Sequence, residues 1–216
     1  MTLIETTHRI NSVTTSMVAS VLLIGCAGIQ PRADRFVGPP LGATWTETQR
    51  TTGSFGAGEV QLTTTRGETN WNGRQLATYS TSRASLLVNI DNGAYAAVLA
   101  PDGKQLFSWK PDWGFDFPLF VGKSWNRTYQ YTIHTTNRTI PYDVTCNVES
   151  YDDVPVRAGT YKAFKISCVN TISTEETFWF SPVLGINVKL NQTRFAGNPS
   201  GAGTRDIELV SQSIGK

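Results

Sequence analysis

The feature that most constrains the fold is an alternation of apolar and polar residues that recurs from Ala43 towards the C-terminus. Successive side chains of a β-strand point to opposite faces, so a period of two is typical of strands that bury one face. Glycine, proline, asparagine and aspartate separate the alternating runs. The sequence therefore predicts an all-β protein with little or no helix, in which a single antiparallel sheet of about ten to eleven strands curves into a half-barrel or open barrel.

Two Asn-Gly dipeptides, at 72–73 and 92–93, predict tight hairpin turns. Both residues of a type I′ turn have a positive φ angle, which asparagine and glycine tolerate. A two-residue turn at 92–93 would place Ile90 opposite Tyr95.

Residues 1–25 have the layout of a secretory signal peptide. Arg9 precedes an apolar run over residues 18–24. A transmembrane helix needs about 20 consecutive apolar residues. The polar residues at 14–16 interrupt the run early, so it is too short to span a bilayer.

The apolar run ends in Leu23-Ile24-Gly25-Cys26, which resembles the lipobox of bacterial lipoproteins. The resemblance implies that the Cys26 thiol carries a diacylglycerol, that the chain is cut before this residue, and that acyl chains such as palmitate anchor the protein. Two or three chains give stable anchoring, whereas one would be marginal. Residue 27 is alanine rather than the aspartate that resembles an inner-membrane retention signal, so we expect the periplasmic face of the outer membrane. The alternative is an ordinary signal peptide cut at a nearby small residue.

The segment after the predicted cleavage site, residues 26–42, contains three prolines and follows neither the strand nor the helix period. We expect a flexible tether, which at ~3.3 Å per residue could reach about 50 Å from the membrane. Residues 43–216 are then predicted to form one antiparallel β domain, because a chain of this length can enclose one sizeable core.

Once Cys26 is acylated, an even pair of cysteines remains, Cys146 and Cys168, which in an exported chain predicts a disulfide. The midpoint between them, Arg157, lies in a turn-forming segment, and a hairpin centred there also pairs Val148 with Ile166. Closing this segment would stabilise the fold by about 3 kcal/mol on a chain-entropy argument. A redox-active pair is the rival interpretation, although no Cys-x-x-Cys spacing supports it.

Nine aromatic residues lie between Phe107 and Tyr131, and the prolines and glycines within 113–122 argue against a helix or a central strand there. Two interpretations remain open. The segment could fold over one end of the sheet and plug the core, or it could form an aromatic mouth or patch for an apolar ligand, a partner or a membrane. The candidate binding residues are Trp109, Trp113, Phe115, Phe117, Phe120 and Trp125.

Little in the sequence points to catalysis. His134 is the one histidine after the predicted leader, and a single histidine cannot supply the usual zinc ligands. A Gly-x-Ser-x-Gly elbow is absent. Asp112 and Asp116, beside Trp113, could belong to a sugar-cleaving pair, but such acids are also ordinary turn formers. The formal net charge of +2 gives no reason to expect a nucleic-acid partner, and we expect no enzyme, metal or cofactor.

Two segments, 154–166 and 178–189, resemble a recurring pair in bacterial envelope proteins that is similar in layout to the half-barrels of the LolA and LolB lipoprotein-handling proteins. The resemblance implies an apolar concavity that holds acyl chains and is closed by helices. No helix that could form such a lid is predicted from this sequence. We therefore expect a non-catalytic, lipid-anchored lipoprotein that acts as a binding or interaction module in the cell envelope. The alternative is a LolB-like carrier or acceptor of apolar ligands or lipoproteins.

Overall fold

The computed structural model describes residues 30–214, which form a closed barrel of twelve antiparallel strands and a separate two-stranded sheet. The strands are β1 (Arg32–Ala33), β2 (Thr44–Thr51), β3 (Gly58–Trp71), β4 (Arg74–Ser80), β5 (Ser85–Asn89), β6 (Tyr95–Leu99), β7 (Gln105–Trp113), β8 (Leu119–Phe120), β9 (Ser124–Ile133), β10 (Arg138–Val156), β11 (Gly159–Asn170), β12 (Thr174–Ser181), β13 (Ile186–Arg194) and β14 (Gly203–Gln212). Two short 3-10 helices, Gly53–Phe55 and His134–Thr136, lie in loops. Within residues 30–214 there is no helix long and apolar enough to cross a membrane.

The barrel closes because β14 pairs with β2. In this pairing Arg205 lies opposite Thr51 and Leu209 lies opposite Glu47. The predicted all-β architecture, built on one large antiparallel sheet, is confirmed. The sheet differs from the expectation by closing completely with twelve strands. Closure leaves no unpaired edge in the barrel, which removes the exposed N–H and C=O groups that an open sheet would carry.

The two Asn-Gly turns have different outcomes. Asn72 and Gly73 both have positive φ angles, 51° and 75°, as a type I′ turn requires. At the second turn the predicted register is wrong, because β5 already ends at Asn89, whose N–H donates to the carbonyl of Ala94 over 2.8 Å. The Asn89 side chain also accepts from the Asp91 N–H at 2.9 Å, which stabilises a longer loop.

The disulfide between Cys146 and Cys168 is present, and the two residues lie directly opposite each other in β10 and β11. Val148 also lies opposite Ile166, as predicted. A bulge between Val148 and Ser150 then shifts the register by one residue. The hairpin consequently turns through Arg157 and Ala158 rather than about residue 157 alone.

Because neighbouring strands alternate in direction, the turns lie at two opposite ends of the barrel. We call one the lower end, which holds the connections at 72–73, 90–94, 114–123, 157–158 and 182–185. We call the other the upper end, which holds the connections at 52–57, 81–84, 100–104, 134–137, 171–173 and 195–202.

The prediction of a flexible tether is wrong for residues 32–42, which pack against the lower end. Ala33 pairs with Leu119 across β1 and β8, and both side chains are buried. The Phe36 ring stacks on Phe180, with centroids 6.3 Å apart. Proline content suggested mobility, but the burial of these apolar side chains stabilises one path along the barrel. Residues 26–29 of the predicted tether, together with the signal peptide, lie outside the described residues.

The N-terminal segment crosses the lower end from one wall to the opposite one. A Cβ atom on Gly93 would lie 2.6 Å from the Phe36 ring, and one on Gly185 would lie 2.2 Å from the carbonyl oxygen of Val37. These glycines belong to the β5–β6 and β12–β13 turns, which are half a barrel apart in the strand order. Both have positive φ angles, so the close approach and the backbone conformation each favour glycine.

Candidate functional site

The interior of the barrel contains a cavity of about 510 Å³ that is partly open to solvent. An eight-stranded barrel is just wide enough for side chains to fill it, whereas a larger number of strands leaves internal space. The cavity extends from Phe36 at the lower end to Ser200 at the upper end. Its volume lies within the range of roughly 300–1,000 Å³ that is usual for small-molecule sites.

Much of the cavity wall is aromatic. Trp113 on β7 contacts Phe178 on β12, with ring centroids 5.4 Å apart, and Phe115 lies 5.6 Å from Phe180. We call the aromatic residues that line the cavity the aromatic wall: Phe36, Trp45, Tyr79, Tyr95, Phe107, Trp109, Trp113, Phe115, Phe117, Tyr131, Tyr142, Phe178 and Phe180. Two tyrosines of the aromatic wall, Tyr95 and Tyr131, stay neutral because burial raises the pKa of each to about 12.

A second part of the wall is polar and follows three neighbouring strands. Glu176 on β12 lies opposite Gln192 on β13, which lies opposite Arg205 on β14. The Gln192 amide donates to Glu176 Oε1 at 2.6 Å and accepts from Arg205 Nη2 at 2.6 Å. Arg194 and Glu47 also line the cavity near these three residues. We call the five residues the polar ladder.

Burial changes the charge of the ladder's two carboxyl groups. It raises the pKa of Glu47 to about 7 and that of Glu176 to about 7, although the positive charge of Arg205 opposes both shifts. Desolvation penalises the charged form of a buried acid and exceeds the attraction of the nearby guanidinium. Each carboxyl is therefore only partly ionised at neutral pH.

The two arginines of the ladder lie against one aromatic ring at the upper end. The Cζ atom of Arg194 is 3.9 Å from the ring centroid of Phe55, and that of Arg205 is 4.9 Å away. The loop that carries Phe55 is fixed by a hydrogen bond from the Ser54 N–H to the carbonyl of Ala202, over 2.8 Å. Such cation–π contacts stabilise guanidinium groups in desolvated places. Burial lowers the pKa of both arginines, and for Arg194 the neighbouring charge of Arg205 lowers it further.

The structure separates the predicted aromatic candidates into two groups. Four of them, Trp109, Trp113, Phe115 and Phe117, line the cavity. Phe120 instead lies on β8 beneath the guanidinium of Arg32, 5.6 Å away, and Trp125 lies on β9 beside Lys123. The segment therefore packs into the core and also lines an internal space, and binding of a ligand or partner there stays a prediction.

The other chemical candidates are distributed over the barrel. His134 Nε2 lies 2.9 Å from Ser108 Oγ, in a hydrogen bond between side chains. Asp112 forms an ion pair with Arg74, and Asp116 forms one with Lys123 over 2.8 Å. Among the described residues, no group of three histidine, cysteine, aspartate or glutamate side chains could hold a metal ion.

The polar ladder was missed by the sequence-based predictions. The sequence feature that could have revealed the ladder is a charged residue at a position where the alternation places the side chain inside the barrel. Glu176 is an example, because it lies two residues before the buried Phe178. A single charge in an alternating run is easily assigned to the solvent face. Only the pairing of β12, β13 and β14 shows that such charges meet inside the barrel.

Neither a family model nor a curated protein matches this chain. Among solved structures, it is similar to the hypothetical lipoprotein YmcC from Escherichia coli K12, with a TM-score of 0.46 and 14% identity over 79% of this chain and 88% of that one. It is also similar to an exported protein with a YmcC-like fold from Bacteroides fragilis, with a TM-score of 0.44 and 11% identity over 84% of this chain and 100% of that one. A third similar structure is a predicted lipoprotein from Parabacteroides distasonis, with a TM-score of 0.41 and 10% identity over 84% of this chain and 100% of that one.

Proposed function

We propose that the protein is a non-catalytic lipoprotein, anchored through Cys26 on the periplasmic face of the outer membrane, whose barrel interior binds an apolar ligand. The observation that carries the proposal is the cavity of about 510 Å³ with its aromatic wall. Protein interiors are normally packed as densely as organic crystals, with few voids larger than a water molecule. Packing for stability alone would not require an interior space of this size.

The position of the aromatic residues favours ligand binding inside the barrel over partner binding on its outside. Trp113 is only 7% exposed, so a partner protein could reach it only by opening the barrel. A small apolar molecule can instead lie against Trp113 and Phe178 within the cavity. This supports the alternative hypothesis, a carrier or acceptor of apolar ligands, over an interaction module that binds a partner through the aromatic segment.

The lower end is suited to lie next to the membrane. Gln30, four residues after Cys26, donates a hydrogen bond to the carbonyl of Val121 at the lower end over 2.7 Å. Four residues span at most about 14 Å. Val37 and Val183, also at this end, are 57% and 80% exposed, and apolar side chains of this kind favour contact with lipid over water.

The lipid anchor is tested by replacing Cys26 with serine. We expect Cys26→Ser to leave the membrane fraction and to lose the acyl mass in intact-protein mass spectrometry, because a hydroxyl is not the thiol that carries the diacylglycerol. The unaltered protein, purified in parallel from membranes of its host, is the control. An unaltered protein that carries no acyl chain would contradict the anchor.

Ligand binding is tested by filling the cavity. Leu190 lines it, so Leu190→Trp should weaken binding of the apolar fluorophore phenylnaphthylamine by about tenfold or more, because the indole occupies the ligand's space. Val169→Trp is the matched control, since Val169 is 50% exposed on the outer face of β11. Fluorescence titration measures both dissociation constants, and the Trp emission spectrum of each variant checks that the barrel has folded. Equal affinity of the two variants would contradict a site inside the barrel.

A further inference from the structure

We infer that the cavity takes an amphiphile with one apolar chain and an anionic head group, and that Arg194 and Arg205 bind this head group. The inference rests on the proposed function and names the class of its ligand. The apolar chain would lie along the aromatic wall, and the head group would lie at the polar ladder beneath Phe55.

Neither Arg194 nor Arg205 forms an ion pair with a carboxylate of the described chain. In the described part of the chain, neither Arg194 nor Arg205 has a carboxylate oxygen within 4.0 Å, whereas ten other ion pairs meet this criterion. Both side chains are half-buried, and charges withdrawn from water in proteins are normally paired because desolvation penalises an unpaired charge. An anionic ligand would supply the missing partner.

Arg205 also has a hydrogen-bond donor that no other described residue uses. The Nε atom of Arg205 is buried and has no hydrogen-bond partner among residues 30–214, although Nη2 of the same group donates to Gln192. Buried donors in native proteins are almost always paired. The free Nε–H of Arg205 can donate a charge-assisted hydrogen bond to a carboxylate or phosphate oxygen.

Two positively charged side chains lie against one aromatic ring. Arg194 and Arg205 both contact the face of Phe55, at 3.9 Å and 4.9 Å. The arrangement brings two cations together, which is unfavourable unless an anion lies between or beside them. Glu47 and Glu176 compensate only in part, because burial favours their protonated forms.

The size of the cavity limits the ligand. A cavity of about 510 Å³ has room for one drug-sized ligand, and such pockets bury most of a ligand's surface. An intact phospholipid with two long chains would exceed this volume. The dimensions therefore favour a molecule with a single chain, whether a fatty acid or a phosphorylated single-chain lipid.

The inference is tested with four ten-carbon probes that differ only in the head group. Calorimetry on the unaltered protein would compare decanoate, decyl phosphate, decanol and decyltrimethylammonium. We expect one or both anions to bind about ten- to a hundredfold more tightly than decanol, because two guanidinium groups would donate charge-assisted hydrogen bonds to the anion. The anion that binds more tightly shows whether the head group of the ligand is a carboxylate or a phosphate.

Matched variants locate the head group. Arg205→Gln and Arg194→Gln should each remove most of the preference for the anion while leaving decanol binding unchanged. Arg50→Gln removes the same charge from the outer face of β2, where Arg50 pairs with Glu59, and should have no effect. If a variant of the ladder does not fold, the comparison of head groups on the unaltered protein still decides the question.

The two proposals fail in different ways. If decanol or the cationic probe binds as tightly as the anions, the inferred head-group site is wrong, and the apolar cavity stands. If no probe binds and phenylnaphthylamine does not bind either, the proposed function itself is wrong.

Discussion

Raising the pH from about 5 to about 8 is expected to lower the free energy of unfolding, because Glu47 and Glu176 hold protons in the barrel that they lose in the unfolded chain. Burial raises the pKa of each carboxyl from 4.5 to about 7. For an acid whose pKa is raised on folding, the stabilisation is complete below the unfolded pKa and is lost as the pH rises through the folded pKa. The loss therefore falls between about pH 4.5 and about pH 7 and levels off above that range.

We expect the free energy of unfolding to fall by about 3 kcal/mol for each carboxyl group, because a shift of one pKa unit corresponds to about 1.36 kcal/mol. Urea unfolding followed by tryptophan fluorescence over this pH range measures it. Glu47→Gln and Glu176→Gln should each remove about half of the pH dependence, because glutamine does not titrate.

Exposed acids act in the opposite direction and in a different pH range. Ion pairs and hydrogen bonds lower the pKa of Glu59, Glu68 and Glu149, so these groups stabilise the fold above about pH 4.5 and lose that effect in more acidic solution. Glu59→Gln is therefore a control that should leave the slope between pH 5 and pH 8 unchanged. An unaltered slope in both ladder variants would show that the two carboxyls are solvated rather than buried.

Removing the disulfide is expected to lower the free energy of unfolding by about 3 kcal/mol on the chain-entropy estimate. Cys146 and Cys168 are 22 residues apart in the sequence and are both 2% exposed, so the crosslink restricts the unfolded chain and also packs in the core. The double variant Cys146→Ala/Cys168→Ala tests this by urea unfolding. Alanine is small and apolar, so it introduces no buried polar group.

A reducing agent provides the matched control for the disulfide. It should lower the unfolding midpoint of the unaltered protein towards that of the double variant and should leave the variant itself unchanged. If reduction leaves the midpoint of the unaltered protein where it was, the disulfide makes no net contribution to stability.

Local patterns in the sequence were sufficient to predict the strands and part of their pairing. The period of two identifies a strand because each residue's face depends only on its neighbours along the chain. The turn at Asn72-Gly73 and the pairing of Cys146 with Cys168 are also local, since a hairpin joins segments that are adjacent in sequence. The predicted all-β fold with one large antiparallel sheet was confirmed for these reasons.

Local patterns failed where side-chain hydrogen bonds or packing competed with them. The register of the β5–β6 hairpin was wrong because Asn89 and Asn92 accept hydrogen bonds from nearby N–H groups and lengthen the loop. The predicted tether was wrong from residue 32 onwards because Ala33 and Phe36 find apolar neighbours that lie far away in the sequence. Neither outcome is visible in the residues of the segment alone.

The sequence by itself determined that the chain forms antiparallel strands, one of whose hairpins carries a disulfide. Only the tertiary structure decided that the sheet closes, because the pairing of β2 with β14 joins segments near opposite ends of the described chain. Closure in turn created the cavity and brought Glu47 near Glu176 and Arg205 inside it. A site of this kind depends on distances between strands, and those distances are set by the number of strands in the barrel rather than by any stretch of sequence.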